Sequence, residues 1–527
     1  MKKALSLPLY PLFFAVYPIL AFLSINIREV PINMAFRPLG ISILGGVIFF
    51  FLLHILFRDW SKAALICLLI LIVFYSYGHI YQLLKSTLIY GVNLGRHRIL
   101  VPFFFCLFII AFRLSSRIRT YRNINIFLNI FAVYLFFIPV IKISFYYLSQ
   151  SSPDHLITEV DKSNSSKESI NLTPDIYYII PDTYAREDAL LTLGFDNSEF
   201  INALTSKGFY VAGCSQSNYF FTSLSLASSL NMDYIPELDS RFQPGNPDQS
   251  ILDGLIKHSK VRTFLEELDY SIVAFYTGYY WSSWQDADVY LMSGIGTNYL
   301  LMNRYLTPFE AQFIKTTAII IMTDFQSILL PEFYERVNFP YYDHIQRQLY
   351  VLDELKNIPE MKSPKFVFVH LLLPHYPYVF ASDGNLLDDP GYWSNPQVDD
   401  YPINEEYFRK GYTQQVSYLN QRLIEIVDIL IARSKNPPII ILQGDTGAWF
   451  PFKQAILNAY YLPGKGEDDL YSSISPVNSF RMIFNSYFGT NYDLLPDLTF
   501  YSTQEDPYNF KLDSTTDPFC RSLHSGF

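Results

Sequence analysis

Two aspartates and a threonine stand at positions where they could gather around a metal ion. Asp182 ends the run Asp-Ile-Tyr-Tyr-Ile-Ile-Pro-Asp, Asp445 lies in Gly-Asp-Thr-Gly, and Thr222 immediately precedes the helix-like run Ser-Leu-Ser-Leu-Ala-Ser-Ser-Leu. Two carboxylates and a hydroxyl that meet at one place suit a hard divalent cation such as Mn²⁺ or Mg²⁺. Such an ion neutralises phosphoryl oxygens and lowers the proton affinity of the hydroxyl.

Two histidines are further candidates for the same site. His370 falls inside an apolar strand candidate, and His375 follows it in His-Leu-Leu-Leu-Pro-His-Tyr-Pro-Tyr. Each also has a plain structural interpretation, since His370 could be a core histidine and His375 a packed loop residue. Thr222 could likewise only cap its helix, whose N-terminus would favour an anion such as phosphate.

The elements that must position these residues alternate along the chain. Strand candidates cover 175–181, 271–275, 365–372, 438–443 and 457–462, and helical patterns cover 198–207, 255–268, 341–356, 404–433 and 475–485. Strands that alternate with helices predict an α/β domain with a mainly parallel sheet covered on both faces. Function gathers at the carboxyl ends of such strands, and Asp182, His375 and Asp445 would meet there.

The N-terminal part of the chain is predicted to cross a membrane. Five apolar stretches, at about 5–25, 38–57, 62–83, 98–114 and 124–148, each have the length that a spanning helix needs. Eight basic residues would lie on the side of the N-terminus and five on the other side, which favours a cytoplasmic N-terminus. Five crossings then place everything after residue 150 outside the cytoplasm.

Charge separates the chain into two environments. Residues 1–150 hold two acidic residues against fourteen Lys and Arg, a net charge of +12, so the remainder carries −22 and the whole chain −10. An acidic globular part disfavours nucleic acid as a partner. We therefore predict a transmembrane bundle at 1–148, a polar linker at 149–173, an extracytoplasmic domain at 174–500 and a tail at 501–527. Cys214 and Cys520 could pair in an oxidising compartment.

Taken together, four motifs of the chain resemble a known family. The run that ends in Pro-Asp-Thr-Tyr, the element Asn-Tyr-x-x-Thr-Ser-Leu-Ser-Leu-Ala-Ser-Ser-Leu-Asn-Met-Asp-Tyr, the run His-Leu-Leu-Leu-Pro-His-x-Pro-Tyr and the late Gly-Asp-x-Gly are similar in order to the alkaline phosphatase/sulfatase superfamily. The layout resembles its bacterial membrane branch, which includes lipoteichoic acid synthase and phosphoethanolamine transferases. That branch combines about five transmembrane helices with an extracytoplasmic catalytic domain.

The resemblance implies roles for individual residues. Asp182 would be the first metal ligand, Asp445 a late metal ligand, and Thr222 the nucleophile that also touches the metal. His375, with His370 as a second candidate, would assist at the substrate or the leaving group. The aromatic segment 279–288 falls where such enzymes place substrate contacts, although it could equally be a packed lid. Its candidate contacts are Trp281, Trp284, Asp286 and Asp288.

One position departs from the family pattern. The late motif of the family is Asp-His-Gly, whereas Thr446 follows Asp445 here and would take the place of the metal-binding histidine. A hydroxyl is a poorer ligand for Mn²⁺ or Zn²⁺ than an imidazole. Either another group replaces the imidazole, or metal binding is weak, or the enzyme is degenerate.

The resemblance and the residues together narrow the function. The Cys/Ser-x-Pro-x-Arg pattern of true sulfatases is missing around Thr222, and a two-zinc phosphatase needs more ligands than the sequence offers. The prediction is a membrane-bound, sulfatase-like hydrolase or transferase in a bacterial inner membrane. It would use one divalent ion, Mn, Mg or Zn, and act on phospholipid head groups or envelope glycans. The alternative is a non-catalytic binding or scaffold protein of envelope assembly.

Overall fold

The computed structural model describes residues 6–150 except 86, 90, 91 and 119, and also 173–293, 306–323, 339–387, 405–449, 452–464, 469–513 and 520. The chain forms two compact units. The membrane unit comprises Met1–Leu148, Asn298–Asp343 and Pro390–Val398. The α/β unit comprises Ser149–Thr297, His344–Asp389 and Asp399–Phe527.

Apolar helices dominate the membrane unit. Their bounds are α1 Tyr10–Ile25, α2 Phe36–Phe57, α3 Trp60–Leu84, α4 His97–Ser115 and α5 Arg122–Gln150, with a short 3₁₀ turn at Ile32–Ala35 before α2. Four of them, α2 to α5, are long and apolar enough to cross a membrane, with mean hydropathy between 2.0 and 2.5. Helix α1 is apolar but has only 16 residues and contains Pro18. The prediction of an N-terminal bundle of about five such helices is confirmed.

A later part of the chain packs within the membrane unit. It contains α12 (Pro308–Lys315) and α13 (Ile320–Thr323). The Phe309 and Phe313 rings lie 5.2 and 5.6 Å from the Phe22 ring of α1. The Ala318 N–H donates to the Phe74 carbonyl of α3 at 2.7 Å. Residues 306–323 fall within the predicted domain 174–500, because their apolar stretch is too short to predict contact with membrane helices.

The α/β unit is built on a seven-stranded sheet. Its strands are β1 Ile176–Pro181, β2 Tyr210–Val211, β3 Ser271–Phe275, β4 Val289–Leu291, β5 Lys365–Leu371, β6 Ile439–Gln443 and β7 Asn458–Tyr461. Their order is β2-β7-β6-β1-β5-β3-β4. In this order, β6, β1, β5, β3 and β4 pair in parallel with their neighbours. At the other edge, β7 pairs antiparallel with β6, and β2 pairs antiparallel with β7. The predicted mainly parallel sheet is therefore confirmed.

The three central strands are buried along their whole length. Such continuous apolar runs are expected of parallel strands, because helices cover both faces of the sheet. The helices of the α/β unit are α6 Glu187–Thr192, α7 Ser198–Ser206, α8 Thr222–Asn231, α9 Ile235–Leu238, α10 Ser250–Lys257, α11 Lys260–Glu267, α15 Glu405–Arg433 and α16 Pro476–Phe488, together with most of α14 Phe339–Glu354. Short 3₁₀ turns lie at Tyr280–Ser282 and Ile358–Glu360, and small two-stranded pairs at Leu88–Ile89 with Val92–Asn93 and at Phe500–Tyr501 with Lys511–Leu512.

The register of the sheet aligns the ends of the central strands. Ile180 of β1 lies opposite His370 of β5, and Ile179 lies opposite Leu442 of β6. Asp182 lies three residues after Ile179, and Asp445 lies three residues after Leu442. The sheet therefore brings both aspartates and His370 to one edge.

A disulfide closes the α/β unit between distant positions. Cys214 and Cys520 are bonded, with a sequence separation of 306 and a Cα–Cα distance of 5.8 Å. Their pairing was left open by the sequence. Most of the predicted linker, residues 151–172, and most of the chain after residue 513 lie outside the described residues.

Candidate metal centre

Three side chains from three adjacent strands converge at the carboxyl edge of the sheet. Asp182 follows β1, His370 is the sixth residue of β5, and Asp445 follows β6 by two residues. Each offers one ligand atom, and these atoms all lie within 4.8 Å of one another. His370 Nε2 is 3.5 Å from Asp182 Oδ2. All three residues are buried, so the cluster can hold a metal ion shielded from bulk water.

The unsatisfied atoms of this cluster test whether a cation fits it. Asp182 Oδ1, Asp445 Oδ2 and both ring nitrogens of His370 are buried without a hydrogen-bond partner. Buried polar atoms without partners are uncommon, because each costs about 1–3 kcal/mol. Here they come from two anionic groups and an imidazole, which are donor types that bind Mn²⁺ and Zn²⁺. The donor set therefore fits a divalent cation.

Backbone contacts hold Asp445 in place. The Thr183 N–H donates to Asp445 Oδ1 at 2.9 Å, so one carboxylate oxygen is fixed while the other faces the cluster. The Ser225 hydroxyl of α8 donates to the Asp445 carbonyl at 2.7 Å. From α15, the Tyr412 hydroxyl donates to the Thr183 carbonyl at 2.7 Å. The loops after β1 and β6 are thus tied together and to two helices.

Both glycines of the Gly-Asp-Thr-Gly motif are required by close packing. A Cβ on Gly444 would lie 2.6 Å from the Tyr184 carbonyl oxygen, and a Cβ on Gly447 would lie 2.2 Å from the Ala455 carbonyl oxygen. No side chain fits at such distances from the backbone. The motif therefore lets the β6 loop approach the β1 loop closely enough for the two aspartates to meet.

Thr222 lies beside this cluster as the first residue of α8. The sequence analysis allowed its side chain to cap the helix, and this is wrong: the N-cap residue is Phe221, and no side chain makes a capping hydrogen bond. Thr222 is close enough to Asp445 to lower the pKa of that carboxyl group. Its side chain therefore lies beside Asp445 at the N-terminus of α8, where the helix dipole favours an anion.

The two carboxyl groups have opposite pKa shifts. Burial, and then the charge of Asp182, raises the pKa of Asp445 to about 6. Burial also acts to raise the pKa of Asp182, but His375, His370 and Lys453 outweigh it, and its pKa is lowered. Two nearby carboxylates cannot both ionise without mutual repulsion, so Asp182 keeps the negative charge more readily. A bound cation would remove that repulsion.

Two further basic residues, His375 and Lys453, lie near Asp182 of the cluster. His375 lies in the loop after β5, where its Nδ1 is 2.5 Å from the Tyr376 carbonyl oxygen, and its charge lowers the pKa of Asp182. Lys453, which the sequence analysis did not single out, acts on Asp182 in the same way. Its Nζ lies 4.5 Å from the centre of the half-exposed Trp449 ring. A lysine eight residues after a Gly-Asp motif carries no sequence signal, because only the fold brings it back to Asp182.

The imidazole nearest to Asp182 and Asp445 in the cluster comes from another strand than Thr446. Thr446 is buried next to Asp445. The imidazole of the cluster is that of His370 on β5, two strands away from β6.

The aromatic segment 279–288 mostly serves the core. Trp284 is fully buried and stacks on Phe368 with ring centres 4.2 Å apart. Asp286 pairs with Arg262 at 3.0 Å, and Asp288 accepts the Ile272 N–H at 2.8 Å. Trp281 is the member of this group that approaches the cluster, with its ring 6.2 Å from the His370 ring.

Comparison with known proteins gives structural neighbours only. No protein-family model and no curated protein matches the sequence. The chain is similar to the zinc complex of the C-terminal periplasmic domain of EptC from Escherichia coli, at 13% identity over 64% of this chain and 92% of that chain, with a TM-score of 0.37. It is also similar to the integral membrane lipooligosaccharide phosphoethanolamine transferase A (EptA) from Neisseria meningitidis, at 11% identity over 87% of this chain and 88% of that chain, with a TM-score of 0.34.

A third neighbour comes from glycan metabolism. It is a sulfatase from Bacteroides thetaiotaomicron, 13% identical over 65% of this chain and 84% of that chain, with a TM-score of 0.38. The motif resemblance named the alkaline phosphatase/sulfatase superfamily, and within it the bacterial membrane branch that includes phosphoethanolamine transferases.

Proposed function

We propose that this protein is a membrane-bound, metal-dependent hydrolase or transferase that acts on phosphodiesters of lipid head groups or envelope glycans. The observation that carries the proposal is the buried cluster of Asp182, His370 and Asp445, whose unsatisfied ligand atoms lie within 4.8 Å of one another. Buried polar groups that serve only the fold are mostly hydrogen-bonded, so several unpaired ligand-type atoms at one place favour a bound cation. A cation, and beside it a phosphate, accounts for both the cluster and its position next to Thr222.

Asp182, His370 and Asp445 would hold one divalent ion, with Thr222 as a further oxygen ligand. When bound, the ion would neutralise charge on the phosphoryl oxygens and favour the deprotonated form of the threonine hydroxyl. The basic residues near the cluster support an anionic substrate. Lys453 and His375 are both close enough to affect the pKa of Asp182.

Thr222 is the proposed nucleophile. Its Oγ1 releases the hydroxyl proton to water and forms a bond to phosphorus, while the bond between phosphorus and the leaving oxygen breaks. In the second step, water or an acceptor hydroxyl attacks phosphorus, and the Thr222 oxygen leaves and regains a proton. The N-terminus of α8 orients the phosphoryl group through backbone N–H groups and the helix dipole.

Two residues beside the cluster are assigned to the substrate. His375 is half-buried in the loop after β5, where its ring could give a proton to the leaving oxygen. Lys453 provides a positive charge for the phosphate, and Trp449 fixes its position through a cation–π contact at 4.5 Å. Trp281, beside His370, completes the proposed wall of the site.

An extracytoplasmic location of the α/β unit is part of the proposal. The disulfide between Cys214 and Cys520 supports it, because such bonds form in oxidising compartments. The excess of basic residues on the N-terminal side of the predicted spans supports it as well. With the apolar helices of the membrane unit, these features favour a bacterial inner membrane.

Metal titration of the purified full-length protein tests the proposal. At a metal concentration 100 times the dissociation constant, Mn²⁺ or Zn²⁺ should stabilise the protein by about 2.7 kcal/mol. His370→Ala should abolish this stabilisation. His258→Ala is the matched control, since His258 is half-exposed beside Asp286 and belongs to no ligand cluster among the described residues.

Turnover is tested separately with a chromogenic phosphodiester. Thr222→Ala should abolish hydrolysis and leave most of the metal stabilisation in place. Hydrolysis that persists at the wild-type rate in Thr222→Ala would exclude Thr222 as the nucleophile. Metal binding without turnover in the wild type would favour the scaffold alternative, and no response to Mn²⁺, Mg²⁺ or Zn²⁺ would exclude the metal centre.

A further inference from the structure

The membrane unit contains a cavity of about 420 Å³ that the metal centre does not involve. Its walls are α1, α2, α3 and the segment 306–319, all within the same unit. Most of the lining is apolar: Ile41 and Phe49 come from α2, Phe74 from α3, and Phe313 and Ile314 from α12. The cavity thus resembles the interior of a bilayer in its chemistry.

The polar groups along the cavity wall are already paired with the protein. The Ser42 hydroxyl donates to the Ala15 carbonyl of α1 at 2.6 Å, and the Tyr75 hydroxyl lies 2.5 Å from Ser42 Oγ. A water molecule in a cavity needs two to four polar partners. Because these hydroxyls are occupied, the shaft of the cavity favours an apolar occupant.

One end of the cavity is charged. Arg37, at the beginning of α2, forms a salt bridge with Glu310 of α12, and both residues line the cavity. Glu310 also accepts the Thr307 N–H at 2.8 Å as part of a capping box. A cation and an anion side by side at one end, with an apolar shaft below them, match the two parts of an amphiphile.

The length of the cavity corresponds to one leaflet. Twelve residues separate Arg37 from Phe49 on α2, a distance of about 18 Å at 1.5 Å per residue. Half of the hydrocarbon core of a bilayer is about 15 Å. A cavity that runs from Arg37 to Phe49 is therefore about as long as one leaflet of the hydrocarbon core is thick.

We propose that this cavity binds one acyl chain of a membrane glycerophospholipid, with the phosphate of its head group at Arg37. The bound lipid is held by burial of its chain and positioned by its charged end. This site is proposed independently of the metal centre, and lipid binding is measured without turnover. Loss of either proposal therefore leaves the other open to its own test.

Two glycines of α2 provide a matched pair of variants. A Cβ on Gly45, which lines the cavity, or on Gly40, which does not, would have no atom within 4 Å. Leucine is therefore accommodated at both positions, but only Gly45→Leu places a side chain where the lipid would lie. Both variants add the same apolar residue to the same helix.

The experiment uses full-length protein in phosphatidylcholine nanodiscs that contain a phosphatidylcholine probe with a photoactivatable diazirine in its acyl chain. After irradiation, peptide mass spectrometry should find the label on the segments that contain Phe49 and Phe313. Gly45→Leu should lose this labelling, whereas Gly40→Leu should retain it. Arg37→Gln should weaken it.

Three outcomes would overturn the proposal. One is equal labelling of the lipid-facing residues of α4 and α5, which would indicate annular lipid only. Another is full labelling in Gly45→Leu. The third is displacement of the probe by a diazirine fatty acid without a phosphate, which would show that the site selects a free fatty acid. The wild-type label map needs no variant, so a variant that fails to fold does not remove the test.

Discussion

Buried charged groups lie at both ends of the central strands, but only those at the amino end are fully paired within the protein. At the amino end, Asp175 precedes β1 and Lys365 begins β5, and their side chains form a buried ion pair at 2.5 Å. Asp175 also accepts the Lys365 N–H at 3.1 Å and the Ser363 hydroxyl at 3.0 Å. At the carboxyl end, Asp182 and Asp445 are buried just as deeply, but each keeps an oxygen without a partner.

This difference distinguishes a structural polar cluster from a functional one. Burial removes the charges of both clusters from water, which costs free energy. Only at the amino end do ion pairing and hydrogen bonds within the protein offset this desolvation cost. At the carboxyl-end cluster, the proposed metal ion would offset that cost. Sequence position does not separate the two, because both consist of charged residues at the ends of apolar strands. The two clusters differ in whether each buried polar atom has a hydrogen-bond partner.

The largest effect is expected from Asp445→Asn. The loss of one anionic ligand should lower phosphodiester turnover on the order of 10³-fold and abolish metal-induced stabilisation. The metal-free protein should not be destabilised, because the substitution removes repulsion with Asp182. Thermal unfolding with and without EDTA, beside a turnover assay, measures both effects. A large fall in metal-free stability would mean that Asp445 is a structural residue like Asp175.

The opposite result is expected for Asp175→Asn at the other end of β1. A Lys365 ammonium left buried without its counter-charge should cost about 3–5 kcal/mol of unfolding free energy. Metal affinity of the folded protein should stay unchanged. Urea unfolding followed by tryptophan fluorescence gives the first quantity, and metal titration gives the second. The double variant Asp175→Asn with Lys365→Met should recover part of the lost stability, since it leaves no buried charge.

The stability of the metal-free protein should depend on pH through Asp445. An unfolded aspartate has a pKa of about 3.9, whereas burial and Asp182 raise that of Asp445 to about 6. Between these values the folded state binds more protons than the unfolded state. The contribution of Asp445 to stability should therefore fall as the pH rises through 6.

Metal binding should show the reverse trend. The ion competes with the proton on Asp445, so its affinity should increase as the pH rises through 6. Unfolding midpoints of wild type and Asp445→Asn at pH 5 and pH 7.5, each with EDTA or Mn²⁺, measure both trends. If the difference between wild type and variant does not depend on pH, Asp445 does not titrate in this range.

The smallest effect is expected from Asp286→Asn in the aromatic segment. Asp286 pairs with Arg262, but half of its side chain is exposed, so the loss should be at most about 1 kcal/mol. Turnover and metal stabilisation should not change, because the carboxylate is engaged with Arg262. A reduced turnover with unchanged stability would instead identify Asp286 as a substrate contact.

Much of the architecture could be predicted from periodicity alone. The strand candidates 271–275 and 438–443 agree with β3 and β6 to within one residue, because continuous β-branched and apolar runs have few other uses in a globular domain. The short strands Tyr210–Val211 and Val289–Leu291 escaped prediction, since two or three residues carry no period. The helical pattern at 255–268 proved to be two helices, divided at the Ser259 N-cap.

The sequence by itself determined the types of residue at the strand ends and the division into an apolar basic part and an acidic part. These follow from local composition, which the chain carries before it folds. Only the tertiary structure decided that His370 faces Asp182 and Asp445, that Lys453 returns to them, and that residues 306–323 join the membrane helices. Such contacts depend on strand register and packing between segments far apart in the chain, and no local pattern encodes them.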